Sequence, residues 1–216
     1  MKVLNLYSGI GGNRKLWTDV EVTAVEYNEE IAAIYQEYFP ADKVIVADAH
    51  EYLLNHYKEF DFIWSSPPCP THSRARFWGS KGGTCEVKYP DWKLWQEILF
   101  LKHYAECKWV VENVKPFYEN DLFLMPTVEL QRHLFWSNFN IYPYEFEDHK
   151  IDINRTIASD TVFGFSLKDV KINHRKDQIL RNLVNPDLGL YILEQAKGII
   201  RQQNIQQHQL NFLDAK

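Results

Sequence analysis

Short apolar runs of strand length alternate with segments of helical periodicity through the first half of the chain. The runs cover residues 3–7, 20–25, 44–46, 60–64 and 109–111. A parallel pair of strands needs a crossover connection of about a dozen residues or more, usually a helix, so this alternation favours a parallel sheet. The sequence therefore predicts an α/β fold with a doubly wound sheet, in which the loops that follow the strands meet at one edge.

The segments between these runs carry the predicted helices. One helical face carries Ile31, Ile34, Tyr35 and Tyr38, and Pro40 ends that segment. Further helices are predicted over residues 49–57, 92–107, 175–183 and 186–202, with a short one between the glycine run and Trp17. Residues 133–139 are expected to add a strand, and residues 141–146 an antiparallel partner or a loop.

The polar stretch at residues 71–90 is predicted to be a long mobile loop, because it is glycine-rich and has no clear periodicity. It also contains a local run of basic residues, namely Arg74, Arg76, Lys81 and Lys88. The net charge of the whole chain is −5, which argues against a surface that is basic everywhere. Any contact with nucleic acid is therefore expected to be local.

Composition limits the class of protein. The chain has 216 residues, of which 45% are hydrophobic and 15% aromatic, which favours a folded domain over disorder. Its three cysteines show neither metal-ligand spacing nor a disulfide pattern. The first residues read as a strand and not as a signal peptide, and no segment approaches the roughly 18 apolar residues of a membrane span. We therefore expect a reducing, cytosol-like compartment.

A glycine-rich turn, Gly9-Ile10-Gly11-Gly12, follows the first strand. Glycine lets the backbone approach a ligand closely and, at the start of a helix, presents free amides, although this turn lacks the full dinucleotide fingerprint and also fits a plain tight turn. Glu26 ends the next strand, where an acid can bind a ribose diol, and Tyr27 can stack on an adenine. Asp48, after the third strand, can accept from the adenine amine. Together these groups indicate a nucleoside-bearing cofactor and require no pyrophosphate.

Cys69 follows the fourth strand and two prolines, Pro67 and Pro68, which stop that strand abruptly. A thiol at this position lies at the carboxyl edge of the sheet, where open α/β folds place their chemistry. Free cysteine is also among the most buried residue types, so Cys69 taken alone fits a small core side chain equally well.

In order along the chain, these segments resemble the DNA (cytosine-5) methyltransferases over almost the whole length. The resemblance is carried by residues 6–12, Pro68-Cys69, Glu112-Asn113-Val114, residues 132–136 and residues 182–186. The Pro-Pro-Cys and Glu-Asn-Val segments are fairly specific individually, and the shared order makes the resemblance strong.

The resemblance implies a Rossmann-like methyltransferase sheet that binds S-adenosylmethionine. Cofactor contacts are implied at Tyr7, Ser8, Gly9, Ile10, Gly11, Gly12, Glu26, Tyr27, Asp48, Ala49, Pro67, Asn182 and Val184. Catalytic roles are implied for Cys69, Glu112, Asn113 and Arg132. Nucleic-acid contacts are expected at Ser73, Arg74, Arg76, Lys81 and Arg155, and no metal site is expected.

The implied chemistry assigns a task to each catalytic residue. Carbon 5 of cytosine is a poor nucleophile, and addition of a Cys69 thiolate to carbon 6 raises its electron density. Glu112 then holds or lends a proton at ring nitrogen 3 as charge develops there. Asn113 is expected to orient Glu112 or bind the base edge, and Arg132 to fix the base carbonyl or a phosphate. The base must leave the duplex stack to reach the thiol.

Three features depart from the family pattern. Pro70 stands where members commonly have glutamine, and the Gln131-Arg132-His133 segment lacks the second of two spaced arginines. Only about forty residues lie between the strand at 133–139 and Asn182, where typical bacterial members insert a substantial recognition domain. The sequence therefore predicts a minimal or absent target-recognition domain, and compact members of this kind resemble phage or mobile-element methyltransferases.

From these observations we expect four segments. Residues 1–140 form the catalytic and cofactor-binding core, residues 141–174 a minimal recognition region, residues 175–202 helices that complete the core, and residues 203–216 a flexible tail. The expected partner is duplex DNA with a flipped cytosine, without a membrane, in the cytoplasm of a bacterium or a phage-infected cell. Recognition by so small a region is either relaxed or supplied by an oligomer or a partner protein.

Three alternatives stay open at this stage. An amino-methyltransferase would carry an aromatic residue after Ser-Pro-Pro, where this chain has Cys69. A methyltransferase acting on RNA or on a free pyrimidine nucleotide fits the acidic charge and the small recognition region. A catalytically inactive nucleic-acid-binding relative would keep the fold, although the presence of Cys69 and Glu112 argues against it.

Overall fold

The structure is a computed structural model that describes residues 1–118, 124–146 and 162–201. Its strands are β1 (Lys2–Leu6), β2 (Glu21–Glu26), β3 (Lys43–Val46), β4 (Phe62–Ser65), β5 (Lys108–Val114), β6 (Val128–Leu130) and β7 (His133–Ser137). Its helices are α1 (Glu29–Tyr38), α2 (Ala49–His56), α3 (Arg74–Lys81), α4 (Lys93–Tyr104), α5 (Lys176–Arg181) and α6 (Pro186–Ala196), and a 3₁₀ turn spans Tyr57–Glu59.

The strands form one sheet in the order β3-β2-β1-β4-β5-β7-β6. Strands β1 to β5 are parallel, as predicted, whereas β7 runs antiparallel to both β5 and β6. The strand predicted near residues 133–139 is β7, but its second neighbour β6 was not predicted, and residues 141–146 contain no strand. The predicted α/β doubly wound sheet is confirmed.

Side chains that alternate along each strand fill both faces of the sheet. On one face Leu4 and Ile63 pack with residues of α2 and α4, while on the other Trp64 and Phe135 pack with residues of α6. Strands buried on both faces read as continuous apolar runs, which is why they were recognisable in the sequence. Because helices cover both faces of the sheet, the carboxyl edge of the parallel strands is the part of the sheet at which a ligand can bind.

The chain reverses direction across the sheet between β1 and β4. From β1 it proceeds outward to β2 and β3, and then returns to β4 on the other side of β1. In open α/β sheets the crevice outside the carboxyl ends at such a switch point is where ligands bind. The glycine turn follows β1 and Cys69 follows β4, so both lie at this crevice.

The short helix predicted between the glycine run and Trp17 is absent. This segment is a series of single turns, with hydrogen bonds from Gly11 N to Ser8 O at 3.0 Å and from Trp17 N to Arg14 O at 3.0 Å. Gly189 of α6 lies so close that a Cβ there would be 2.2 Å from Asn13 O. Helix α6 therefore packs directly against a series of turns where a short helix was expected. The amides expected at the N-terminus of that helix belong to a loop instead.

The predicted mobile loop at residues 71–90 contains the helix α3. Ser73 caps its N-terminus by accepting a hydrogen bond from Arg76 N at 3.2 Å, and Gly82 ends it. The ring of Phe77 stacks on Phe117 with a centroid distance of 4.6 Å. The sequence analysis missed this helix because it counted three glycines against helix formation. Two of them, Gly82 and Gly83, come after the last turn and do not interrupt the helix.

No helix in the described ranges is long and apolar enough to cross a membrane. Residues 147–161 of the predicted recognition region, including Arg155, lie outside the described residues, as does the predicted tail at 203–216. The two predicted C-terminal helices are α5 and α6, each shorter than expected.

Candidate active site

The sheet order determines which chemical groups become neighbours. Along the carboxyl edge, Asp48 follows β3, Glu26 ends β2 and the glycine turn follows β1. Cys69 follows β4, and Glu112 lies near the end of β5. Groups that are far apart in sequence are therefore arranged in one row. This row places acidic groups suited to a nucleoside at one end and a thiol with a carboxylate at the other.

The glycine turn leaves a concave space at its first glycine. A Cβ added to Gly9 would meet no atom within 4 Å, whereas one on Gly11 would lie 2.2 Å from the Phe39 ring. Ser8 Oγ is buried and has no hydrogen-bond partner among the described residues. Gly9 thus borders open space next to a buried, unpartnered hydroxyl, while Gly11 is required by packing and Ile10 is a buried core side chain.

Glu26 holds the glycine turn through its carboxylate. Its Oε2 accepts a hydrogen bond from Gly9 N and its Oε1 from Asn28 N, each at 3.0 Å. Each oxygen keeps a further lone pair, so the carboxylate can still accept from a hydroxyl group. The neighbouring Tyr27 is 77% exposed, which leaves its ring free to stack on a ligand.

Asp48 stabilises the start of α2. It caps α2 by accepting from His50 N at 2.8 Å, and it pairs with Lys93 Nζ at 3.0 Å. Partial burial opposes ionisation, but the Lys93 and backbone hydrogen bonds outweigh it and lower the pKa of Asp48. Asp48 is therefore a charged acceptor at the start of α2, beside the buried Ala49.

The C-terminal segment that contains Val184 lies against the glycine turn. A Cβ on Gly12 would lie 2.7 Å from the backbone oxygen of Val184, so only glycine allows this contact. Val184 is buried, whereas Asn182 is the exposed C-cap residue of α5.

A buried acid beneath this site escaped the sequence analysis. Glu97 of α4 is fully buried and accepts from Tyr7 OH and Ser65 Oγ at 2.5 Å each, and its Oε1 lies 2.9 Å from His50 Nδ1. Burial, with the nearby Glu97 charge, raises the pKa of Tyr7 far above its usual range. The Tyr7 hydroxyl therefore anchors the residue after β1 to α4.

The thiol of Cys69 is partly buried in the turn after β4. Its backbone oxygen accepts from His72 N and Ser73 N at 3.0 Å each, which fixes the turn. Burial raises the pKa of Cys69 to about 11, and the Glu112 charge adds to the increase. The Glu112 charge thus acts on the Cys69 thiol, and the catalytic pairing of the two groups stays a prediction.

Glu112 lies in β5 and is almost fully buried. It accepts a hydrogen bond from His133 Nδ1 and another from the Ser66 hydroxyl, which in turn accepts from Trp64 Nε1 at 2.8 Å. Burial alone would raise the pKa of Glu112, but His133, Ser66 and the nearby Arg132 charge outweigh it and lower the pKa. At rest Glu112 is a carboxylate that can take up a proton.

Asn113 has two hydrogen bonds among the described residues, neither of them to the Glu112 side chain. Its Nδ2 donates to Pro67 O at 2.9 Å, and its Oδ1 accepts from Val114 N at 3.0 Å. The amide therefore holds the Pro-Pro-Cys turn to β5, and the roles expected for Asn113 in the reaction stay predictions. Pro67 likewise contributes a buried backbone acceptor to this contact.

Replacing Asn113 with alanine is expected to lower the free energy of unfolding by about 1–3 kcal/mol, because it leaves the buried Pro67 oxygen without its donor. Urea denaturation measures this change. Asn55→Ala is the matched control, since its exposed side chain donates to Glu51 O at 2.9 Å and should matter by less than about 0.5 kcal/mol. Equal effects of the two substitutions would contradict this role of Asn113.

Arg132 is also engaged within the protein. Its Nε donates to His133 Nε2 at 3.1 Å and its Nη2 to Arg181 O at 2.7 Å. These bonds use only some of the five N–H donors of the guanidinium, so the expected contact of Arg132 with the base or a phosphate stays a prediction. From the sequence, His133 was assigned only to a strand and given no role in the site. Its position as a polar residue directly before an apolar run was the one feature that could have indicated a role.

The predicted nucleic-acid residues lie on and around α3. Arg74 and Lys81 are exposed, and Arg76 is partly buried with Nη2 donating to Glu86 O at 3.1 Å. A cavity of about 340 Å³ beneath α3 is lined partly by Arg76 and Lys81 and not by Cys69. The buried His72, missed in the sequence, ties this region down through Nδ1 to Tyr118 OH at 2.6 Å.

A family model described as C-5 cytosine-specific DNA methylase matches residues 1–123. The matched range includes the glycine turn, Cys69 and Glu112 but ends before His133. A comparison with curated proteins gives no match.

Several solved structures are similar to part of the chain. A mutant of DNMT2 from Spodoptera frugiperda is 26% identical with a TM-score of 0.38, over 54% of this chain and 36% of that one. A putative DNA modification methyltransferase encoded within a prophage of E. coli is 20% identical with a TM-score of 0.36, over 55% and 33%. The methyltransferase EhMeth of Entamoeba histolytica is 17% identical with a TM-score of 0.35, over 53% and 38%. The matches thus span only about a third of the length of these relatives.

Proposed function

The chain belongs to the C-5 cytosine-specific DNA methylase family, and on this basis we propose that it transfers a methyl group from S-adenosylmethionine to carbon 5 of cytosine in DNA. The observation that carries the proposal is the row of Asp48, Glu26, the glycine turn, Cys69 and Glu112 along one sheet edge. Such a row suits a nucleoside cofactor held beside a pyrimidine ring.

The residues at the first half of this row fit S-adenosylmethionine. The open space at Gly9 and the unpaired Ser8 Oγ provide room and a polar partner, and Glu26 and Asp48 are acceptors for the ribose and the adenine amine. The exposed ring of Tyr27 is suited to stacking on the adenine. When bound, the cofactor supplies an electrophilic methyl group on sulfur. Its remaining expected contacts, Ala49, Pro67, Asn182 and Val184, are part of the same proposal.

In this mechanism Cys69 and Glu112 exchange one proton. The pKa of about 11 keeps the resting thiol protonated at neutral pH, so the proton must leave as the reaction proceeds. If Glu112 takes that proton, its negative charge disappears, which removes one cause of the raised pKa of Cys69. The S–H bond breaks as an O–H bond forms, and both groups then have the protonation states that the addition needs.

The thiolate next forms a bond to carbon 6 of a flipped cytosine, while Glu112 passes its proton to ring nitrogen 3. Carbon 5 then holds the electron pair of the former carbon 5–carbon 6 double bond and would take the methyl group that the cofactor supplies, as the bond between that methyl carbon and the cofactor sulfur breaks. Loss of the carbon 5 proton to water, return of the nitrogen 3 proton to Glu112 and expulsion of the thiolate restore the ring. Duplex DNA is the proposed partner, and the proposed contacts with it are Ser73, Arg74, Arg76, Lys81 and Arg155. The proposed compartment is the cytoplasm. Residues 141–174 would supply minimal recognition, supplemented by an oligomer or a partner.

Methyl-labelled S-adenosylmethionine incubated with the protein and with DNA, RNA or cytidine nucleotides tests this function. The proposal expects label in 5-methylcytosine of DNA. Label in RNA or in the nucleotide alone would replace the substrate with that alternative, and label on the exocyclic nitrogen would indicate an amino-methyltransferase. Binding of nucleic acid without any transfer would indicate an inactive relative.

Replacing Glu26 with alanine is expected to weaken S-adenosylmethionine binding about tenfold to a hundredfold, because hydrogen bonds to a charged group contribute about 1.5–3 kcal/mol. The substitution removes the acceptor of Gly9 N together with the proposed ribose contact. Isothermal titration calorimetry measures the affinity. Glu29→Ala, an exposed acid in the first turn of α1, is the control, and an unchanged affinity in Glu26→Ala would contradict the role.

A further inference from the structure

His133 reaches Glu112 because of the register of two antiparallel strands. Glu112 pairs with Phe135 and Val114 pairs with His133, so Glu112 and His133 lie diagonally on the same face of β5 and β7. Diagonal neighbours are separated by about 7–8 Å, a distance that long side chains can bridge. The contact between His133 Nδ1 and Glu112 Oε1 is thus built into the sheet.

Arg132 determines which nitrogen of His133 carries the proton. Its Nε donates to His133 Nε2 at 3.1 Å, so Nε2 must accept and the proton must lie on Nδ1. Nδ1 then donates to Glu112. Arg132 is itself held at the end of α5 by Arg181 O, at 2.7 Å.

We infer that His133 is a positioning residue for the proposed reaction, which donates from Nδ1 to Oε1 of Glu112 in a tautomer that Arg132 enforces. The inference rests on the proposed function and extends it to a residue outside the range that the family model matches. His133 engages one carboxylate oxygen and so orients the group toward the ring nitrogen.

Other charges around the pair are compatible with this role. Among the described residues, Arg132, Ser66 and His133 act on Glu112, and Glu112 and Arg132 act on Cys69. His133 gives up no proton in the cycle, since the proton moves from Cys69 to Glu112 and then to the base. Its function is therefore separable from that of Glu112.

Nuclear magnetic resonance of the ¹⁵N-labelled imidazole tests the tautomer without any turnover. The His133 ring should show a protonated Nδ1 and a bare Nε2, and in Arg132→Met this preference should be lost. His56 provides the internal comparison, because its Nδ1 lies 2.7 Å from Glu59 Oε1 at an exposed site where no arginine of the described ranges is bonded to Nε2. A protonated Nε2 with a bare Nδ1 in the wild-type protein would overturn the inference.

Steady-state kinetics test the positioning role. His133→Leu should lower kcat about tenfold to a hundredfold with KM for S-adenosylmethionine within about twofold, because it removes one donor to a charged group. His133→Asn, whose side-chain N–H can occupy the place of Nδ1–H, should restore most of kcat. His56→Asn is the matched control and should leave both constants unchanged.

Each outcome has one meaning. If His133→Leu folds with an unchanged thermal midpoint and retains full kcat, or if His133→Asn is as impaired as His133→Leu, the inference is wrong while the function stands. If the wild-type protein transfers no methyl group to any cytosine substrate, the proposed function fails first. The tautomer measurement then still reports on the Arg132–His133–Glu112 contacts.

Discussion

Replacing Cys69 with alanine is expected to abolish methyl transfer, with a loss of at least about four orders of magnitude in kcat, because a covalent nucleophile has no substitute in the site. Affinity for S-adenosylmethionine should stay within about twofold. Most of the proposed cofactor contacts, including Gly9, Glu26 and Asp48, follow β1, β2 and β3, whereas Cys69 follows β4. Transfer of labelled methyl groups and titration calorimetry measure the two quantities separately.

The chain offers a matched control for this substitution. Cys107 is also partly buried, and burial raises its pKa to about 11, yet it precedes β5 at the opposite edge of the sheet. Cys107→Ala should therefore retain turnover. Full activity in Cys69→Ala would rule out covalent catalysis, and loss of cofactor affinity would show that Cys69 supports the cofactor site instead.

Replacing Glu112 with glutamine is expected to lower kcat by about 10²–10⁴-fold, the usual contribution of a positioned acid or base. It should also lower the pKa of Cys69 below about 11, since the Glu112 charge is one of the causes of the raised value. The thiolate is the reactive form, so alkylation of Cys69 by iodoacetamide should then begin at lower pH. Mass spectrometry of each cysteine peptide, over a series of pH values, gives the titration.

Cys107 is the internal standard in this measurement, because the Glu112 charge is not among the causes of its raised pKa. Its alkylation curve should be the same in both proteins. Glu59→Gln, which removes an exposed acid that also contacts a histidine, is the control for turnover. An alkylation curve of Cys69 that does not move in Glu112→Gln would refute the coupling of the two groups.

The parallel part of the sheet could be predicted because its strands are apolar on both faces. Once β1 to β5 are recognised, their order along the edge brings Glu26, the glycine turn and Cys69 together. The sequence therefore contained the row of candidate groups, although not their hydrogen bonds. The roles of individual residues in that row stay predictions until a ligand is bound.

Two kinds of feature escaped the sequence analysis for physical reasons. The helix α3 and the turns after Gly12 depend on tertiary contacts, such as the stack of Phe77 on Phe117 and the approach of Gly189 to Asn13. Local propensity does not encode such contacts.

Buried polar contacts were the second kind. Glu97 shares a helical face with Leu94 and Leu101, a polar residue on an apolar face, and this was a usable signal. The role of His133 was harder to predict. Its contact with Glu112 depends on the register of β5 and β7, which no sequence periodicity reveals.

The most direct test of the account is a covalent trap with DNA that contains 5-fluorocytosine. Fluorine at carbon 5 cannot leave as a proton does, so the thiol–carbon 6 adduct should accumulate after methyl transfer. The account predicts a protein–DNA adduct that depends on S-adenosylmethionine, maps to Cys69 by peptide mass spectrometry and is absent from Cys69→Ala. An adduct at another residue, or methylation of ordinary cytosine with no trapped adduct, would contradict it.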